Sequence, residues 1–301
     1  MPLHPHLHVL IPSSTPSISL EARLYLPPPT SGPSRLGLSR SYDSTPRPLK
    51  DLTADERDEM RKWGCEALIT AAHPWGRLGG NMLDPVIAKH LVSAAYYPPP
   101  KEDAQGEALQ SEEQADSLRT AIITYNARGV GMSQGSAPWL GLGRDPEDFA
   151  AVGSTAISLL GHPKEVLRVG YSWGSLAAVH ASPPDQGLTS TLIIAPALTP
   201  FRLLSLLHRP FTTALAALLP TEQPESAGPG TESALQRSAC ERVWMIYGTE
   251  DQFSGVGAFR AVVSDLQGRG LRGWEIEGGD HFFRGESGEE LQRGIRAWLE
   301  R

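Results

Sequence analysis

Val166-Leu-Arg-Val-Gly170-Tyr-Ser172-Trp-Gly174-Ser-Leu-Ala-Ala-Val-His180 decides how the rest of the chain is read. An apolar run of strand type meets Gly170-Tyr-Ser172-Trp-Gly174 and continues into small helix formers, so the stretch predicts a strand, a sharp turn and a helix with Ser172 at the apex. Two glycines around a serine leave room for a strained turn that lifts the hydroxyl above a sheet, and the helix that follows aims its first N–H groups at the same point. The five-letter pattern is too short to stand alone, because Gly131-Met-Ser133-Gln-Gly135 also satisfies it. Asn126-Ala-Arg-Gly-Val before Ser133 and Ser136-Ala-Pro-Trp after it supply neither an entering strand nor a leaving helix, so Ser133 is read as loop structure.

Downstream of Ser172, strands and helices alternate. Thr191-Leu-Ile-Ile-Ala195 and Arg242-Val-Trp-Met-Ile-Tyr247 read as buried strands, the rhythm of a largely parallel sheet covered by helices. Gly248-Thr-Glu250-Asp251-Gln-Phe253 lies beyond the second, followed by a helix with Phe259, Val262, Val263 and Leu266 on one face. A last strand, Leu271 to Glu277, runs into Gly278-Gly-Asp280-His281-Phe-Phe283, and a final helix is expected to open on the capping box Ser287-Gly-Glu-Glu290.

Upstream, residues 5–11 and 17–26 alternate and predict two antiparallel strands. His4, His6 and His8 share one side of the first; with no carboxylate or cysteine beside them in sequence they are read as a solvated strand face, not a metal site. Cys65 to Ala72 is a buried strand ending in His73-Pro-Trp-Gly-Arg-Leu-Gly-Gly80, and Asp84 caps a helix with Pro85 at its first position. Thr120 to Tyr125 is another buried strand, after which Arg128 braces a glycine-rich turn. Asp145-Pro-Glu-Asp148 combines a cap, a first-position proline and an acidic first turn for a helix that stops at Gly161.

A length of 301 residues with 40% hydrophobic and 20% charged side chains suits one α/β core with insertions. The net charge of −7 comes without a basic block, so no electrostatic footprint for nucleic acid or anionic lipid is present. Two cysteines, Cys65 and Cys240, both in or beside apolar runs, fit buried thiols better than a disulfide framework, and the first residues lack a basic n-region and a long apolar segment. A cytoplasmic location is the expectation. Glycine and proline cluster with serine, glutamate and glutamine near 27–48, 97–110 and 220–230, which predicts flexible surface loops dispensable for chemistry.

Ser172, Asp251 and His281 each follow the carboxyl end of a different strand-like run, which is where ligands sit in open α/β sheets. Their order along the chain is serine, acid, histidine. On His73-Pro-Trp-Gly-x-x-Gly-Gly80, Asn126-x-Arg-Gly-Val-Gly-x-Ser133, Gly170-Tyr-Ser-Trp-Gly174, Gly248-x-x-Asp251 and Asp280-His281-Phe-Phe283, the chain resembles the α/β-hydrolases, and within them an esterase-like subgroup of serine hydrolases. The resemblance implies a mostly parallel sheet with helices on both faces, a single domain over 1–301, and a Ser-His-Asp acyl-enzyme mechanism on a carboxylic ester or thioester of a small or acyl substrate, with no cofactor or metal. It places one oxyanion donor in the loop after the 65–72 strand and the other on the residue after the nucleophile. Proline has no N–H, so the backbone N–H groups of Trp75 and Trp173 are the candidates, with Gly76 next in line; His73 is read as shaping the loop. Two other readings share parts of the pattern: a serine peptidase of the prolyl-oligopeptidase type, and a non-catalytic binding protein on the same fold.

Residues 196–240 form an insertion after the strand that follows the elbow. Thr199 can cap a helix that puts Leu203, Leu206 and Leu207 on one face, Pro210 breaks the run, and a second arm carries Leu215, Leu218 and Leu219 to Pro220. The two arms predict a lid whose leucines, Leu203, Leu207 and Leu215 among them, line an acyl pocket; the competing expectation is that both stripes pack on the body of the domain. Arg202, His208, Arg209 and Pro210 interrupt any span long enough to cross a bilayer.

Overall fold

Each apolar run expected to be a strand is one in the computed structural model, which describes residues 5–27, 45–96, 101–102, 108–109, 119–139, 142–184, 190–198, 210–220 and 242–300. The strands are β1 (Leu7–Pro12), β2 (Ser19–Tyr25), β3 (Arg47–Pro48), β4 (Ala67–Ala72), β5 (Lys101–Glu102), β6 (Ala108–Leu109), β7 (Thr120–Tyr125), β8 (Glu165–Tyr171), β9 (Ser190–Ile194), β10 (Arg242–Gly248) and β11 (Leu271–Ile276). Nine of them make one sheet in the order β11-β10-β9-β8-β4-β7-β2-β1-β3, while β5 and β6 pair with each other. From β7 to β11 every neighbouring pair is parallel; β2 runs antiparallel to both β1 and β7. The expected loop 97–110 thus contains a short two-stranded pair, and most of the expected loops 27–48 and 220–230 lie outside the described residues.

The continuous burial of β4, β7 and β9 explains their near-unbroken apolar sequences, since both faces are covered. In β4, Ala67, Ile69 and Ala71 enter one core and Leu68 and Ala72 the other, as the two-residue period of a strand requires. The first face carries α2, wound as a π-helix over Val86–Leu91 and as an α-helix over Val92–Tyr96, and α7 (Glu286–Leu299). The second carries α1 (Ala54–Lys62), α3 (Asp145–Leu160), α4 (Gly174–His180), α5 (Phe211–Leu218) and α6 (Val256–Gln267). Full burial of side chains such as Phe149, Phe259 or Leu176 contributes ~1.5–3 kcal/mol apiece. Gly161, in the left-handed region at φ 78°, ends α3, its N–H bonding to the carbonyl of Ile157.

Several local expectations change. His8 is not on a solvated face: its Nε2 lies 2.8 Å from Glu21 Oε1, and His6 Nδ1 accepts the Leu26 N–H at 3.0 Å, because β2 brings acceptor and donor opposite the histidines. His4 lies outside the described residues. Asp145 does not cap α3 but is its first helical residue, and α7 starts at Glu286, with Ser287 Oγ donating to the Arg284 carbonyl instead of forming a capping box. Cys65 is buried, its thiol pushed up to about 12 by that burial, while Cys240 lies outside the described residues.

The second arm of the expected lid follows the competing expectation. Phe211, Ala214, Leu215 and Leu218 of α5 are buried in the core with Leu176 and Val179 of α4, and Leu215 is 0% exposed, so this stripe packs on the body of the protein. Arg269 Nη2 donates to the Ala216 carbonyl at 2.8 Å and fixes the same helix from α6's end. Leu203 and Leu207 lie outside the described residues. Among the described residues no helix is long and apolar enough to cross a membrane.

Candidate active site

The turn after β8 takes the shape its sequence predicts. Ser172 sits at φ 53°, a conformation costly for a residue with a Cβ, and its N–H donates to the Ile194 carbonyl at the end of β9 at 2.9 Å. The flanking glycines are there for space: a Cβ on Gly170 would stand 2.5 Å from Ser175 Cα, and one on Gly174 would stand 2.4 Å from the Ala72 carbonyl oxygen. Strand β8, helix α4 and the end of β4 are therefore in backbone contact around the serine. Arg168 anchors the far end of α4, donating to the carbonyls of Ala178, Ala181 and Ser182.

Two other strand ends deliver the partners. His281 Nδ1 is 2.7 Å from Asp251 Oδ2 and its Nε2 is 2.9 Å from Ser172 Oγ. A carboxylate can only accept, so Nδ1 carries the proton and Nε2 is left as the acceptor for the serine hydroxyl. The second carboxylate oxygen, Oδ1, accepts the N–H groups of Phe253 at 2.8 Å and Ser254 at 2.9 Å, which fixes the plane of the acid. Asp251 and His281 side chains are 0% and 3% exposed, whereas the adjacent Glu250 is exposed. Phe253 and Phe282 close around the imidazole, their ring centroids 4.5 and 5.4 Å from that of His281.

The supporting contacts come from residues the sequence reading did not single out. Tyr171 donates its hydroxyl to the His281 carbonyl at 3.0 Å, and Gln252 Oε1 accepts the His281 N–H at 3.2 Å. Ser254 ties the acid loop to the end of β9, donating to the Pro196 carbonyl at 3.2 Å and accepting from Leu198 N–H at 2.7 Å. Each partner is distant in the chain, so no local pattern announces it.

On the other side of Ser172, the loop after β4 and the elbow are brought together. The indole rings of Trp75 and Trp173 stack with centroids 5.1 Å apart and planes 20° apart. His73 is buried and shapes this loop as expected: Nδ1 donates to the Pro74 carbonyl and Nε2 accepts the Ala127 N–H at 2.9 Å, while burial lowers its pKa to about 4 despite the Pro74 contact. Arg77 stitches the loop to the segment after β7 through the Ala137 and Pro138 carbonyls and covers the Trp139 ring at 3.6 Å. A small cavity behind the loop is lined by His73, Trp75, Tyr125, Asp145, Trp173 and Gly174, and excludes Ser172 itself.

Ser133 has no such setting. Its Oγ donates to the Asn126 carbonyl at 2.6 Å and accepts the Glu21 N–H at 2.9 Å, so both of its hydrogen-bonding roles are spent on structure. Arg128 braces the neighbouring turn as expected, with Asp148 at 2.6 Å and Ser14 and Thr15 within 3.1 Å. Among the described residues no group of three or more His, Cys, Asp or Glu side chains could hold a metal ion.

Solved structures share this fold along nearly the whole chain. An α/β serine hydrolase homologue from Coxiella burnetii superposes with a TM-score of 0.59 at 16% identity, covering 98% of each chain. An α/β serine hydrolase without a lid from Xanthomonas campestris gives 0.56 at 18% identity over 100% of this chain and 99% of its own. An esterase from Pyrococcus furiosus gives 0.51 at 12% identity over 97% and 92%. No family model and no curated protein matches the sequence. The likeness is one of fold, and the chain has the α/β-hydrolase fold.

Proposed function

We propose that the protein is a serine hydrolase that cleaves a carboxylic ester or thioester of a small or acyl substrate through an acyl-enzyme. The observation that carries the reading is the continuous line from Asp251 Oδ2 through His281 to Ser172 Oγ, with both hydrogen bonds under 3 Å. In this reading His281 Nε2 takes the hydroxyl proton as Ser172 attacks the substrate carbonyl, Asp251 holds the imidazole in the required tautomer, and His281 returns the proton to the leaving oxygen or sulfur. Water then repeats the cycle on the acyl-serine. The backbone N–H groups of Trp75 and Trp173 stabilise the tetrahedral oxyanion; the close approach of Gly174 to the end of β4 and the stacked indoles support that pairing. The serine hydrolases and the esterase with the same fold support the reaction class. The chemistry requires neither metal nor cofactor.

Fluorophosphonate labelling with identification of the modified residue tests the nucleophile, and a screen of esters, thioesters and amides of graded chain length tests the substrate class. Modification confined to Ser172 with ester or thioester turnover is expected. Amide turnover exceeding ester turnover would make the protein a peptidase, and no labelling of folded protein would make it a binding protein on this fold.

A further inference from the structure

We infer that Asp145 is a positioning residue for the two oxyanion donors, acting through the indole of Trp173; the inference rests on the acyl-transfer reading of Ser172. Asp145 is 7% exposed, and among the described residues the side-chain hydrogen bond to its carboxylate comes from Trp173 Nε1, at 3.2 Å on Oδ2. Asp145 is the first helical residue of α3 and not its N-cap, which is Arg144, so its carboxylate does not serve as the cap of the helix. The carboxylate is spent on the elbow instead.

The contact propagates to the second donor. Trp173 stacks on Trp75, whose own indole N–H is buried with no hydrogen-bond partner among the described residues, so that ring is held by packing, the Trp173 stack included. The two side chains belong to the two residues whose backbone N–H groups flank the proposed oxyanion. A swing of the Trp173 ring away from Asp145 unpairs the stack and removes one of the contacts that set the Trp75 N–H, beside the His73 bond to the Pro74 carbonyl and the Leu78 and Gly80 N–H groups on the Trp75 carbonyl; displacements of about 1 Å in a positioning element can cost on the order of 100-fold in rate.

The strength of the clamp depends on charge, since a hydrogen bond to an ionised acceptor is about twice as strong as one to a neutral acceptor. Burial pushes the Asp145 carboxyl up to about 6; the Trp173 N–H and the Arg128 guanidinium oppose the shift, and Asp148 and Glu147 on the same helix add to it. His73 from the β4 loop and Tyr125 from β7 line the same cavity, and burial holds the imidazole neutral above about pH 4 and raises the phenol. Within the cavity, Asp145 is thus the lining group that changes charge around pH 6.

The test uses Asp145→Asn, which keeps a neutral acceptor, and Asp145→Leu, which removes it, with p-nitrophenyl acetate hydrolysis and the rate of Ser172 fluorophosphonate labelling as readouts. Expected are a roughly threefold fall in kcat for the Asn variant and a roughly tenfold fall for the Leu variant, KM within about twofold of wild type, and labelling rates falling in parallel. The ratio of wild-type to Asp145→Asn kcat, in which the ionisation of the catalytic histidine common to both cancels, is expected to rise through about pH 6. Wild-type rates in both variants, with Ser172 labelled normally, would overturn the positioning role and leave the hydrolase reading standing. A loss that tracks a fall in Tm, with an unchanged pH profile in Asp145→Asn, would make Asp145 purely structural and also overturn it. Wild-type protein that neither labels nor hydrolyses removes the hydrolase reading, and this inference with it.

Discussion

Two stretches of this chain obey the same Gly-x-Ser-x-Gly rule, both bury their serine to 7% exposure, and they solve opposite problems. At Gly131–Gly135 the glycines take the left-handed conformations, φ 55° and 82°, and Ser133 is left relaxed and saturated with backbone partners. At Gly170–Gly174 the glycines lie outside the left-handed region and are needed because a Cβ would collide with backbone; Ser172 itself carries the strain, at φ 53°. The first motif uses its glycines for torsional freedom, with Gly131 also pressed against the Asn126 and Glu21 side chains, and the second uses them for room against backbone. The serine that stores strain is the one presented to a histidine, which fits a residue held for chemistry and not for folding.

The largest expected effect separates the two serines directly. Ser172→Ala lowers turnover by a factor on the order of 10⁶ and abolishes fluorophosphonate labelling. Ser133→Ala keeps both, and instead lowers stability by about 1–3 kcal/mol, since the Glu21 N–H loses its acceptor. Equal losses of activity in the two variants, with folding intact, would break the comparison.

Next comes the acid. Asp251→Asn reverses the tautomer that its carboxylate imposes on His281 and is expected to cost roughly 10⁴ in kcat, while Glu250→Gln, on an exposed neighbour, stays within about twofold. Steady-state kinetics of the pair decides it; the reverse ranking would mean that the wrong carboxylate has been assigned.

Leu215→Ala probes the packing under the elbow helix and not its chemistry. A melt should show a loss of about 2–5 kcal/mol for this fully buried leucine, with rates on acetyl and long-chain esters falling in the same proportion. A selective loss on long chains at unchanged Tm would restore the leucine to the substrate pocket.

The smallest effect belongs to the loop around Ser133. Burial pushes the Glu21 carboxyl up, but His8 Nε2, the Met132 N–H and the Asn126 amide outweigh it and bring the pKa down to about 2. A folded pKa below the ordinary 4.5 means that this contribution is complete above pH 4.5 and is lost as the pH falls towards 2. Thermal melts between those limits should therefore be steeper in pH for wild type than for Glu21→Gln; identical slopes would show that the charge on Glu21 does not hold the loop.

What the sequence made legible follows from the range over which each signal acts. Buried parallel strands announce themselves as apolar runs, and the turn at Ser172 needs only five adjacent residues, so β4, β7, β8, β9 and β10 and the elbow were all readable locally. The chain order of Ser172, Asp251 and His281 was readable because a parallel sheet sends every carboxyl end to one edge. The misreadings at Asp145 and Ser287 have a different origin. Both residues have the composition of a helix cap, but Asp145 is drawn to an indole from another element and Ser287 to the carbonyl of Arg284, and propensity cannot see such competitors. Tyr171, Gln252 and Ser254 were illegible for the same reason, their partners lying 29 to 110 residues away.

Gly248 closes β10 with its Cα pressed against the neighbouring loop: a Cβ there would stand 2.0 Å from the Gly279 carbonyl oxygen, and Glu250 N–H bonds to that same oxygen at 2.9 Å. The two loops that present Asp251 and His281 are therefore locked together backbone to backbone. Any lineage descending from this sequence has little freedom to lengthen either one, so new specificities would have to arise by growth elsewhere. In a saturation library, position 248 should tolerate no replacement of glycine, even though the residue makes no contact with the reacting atoms.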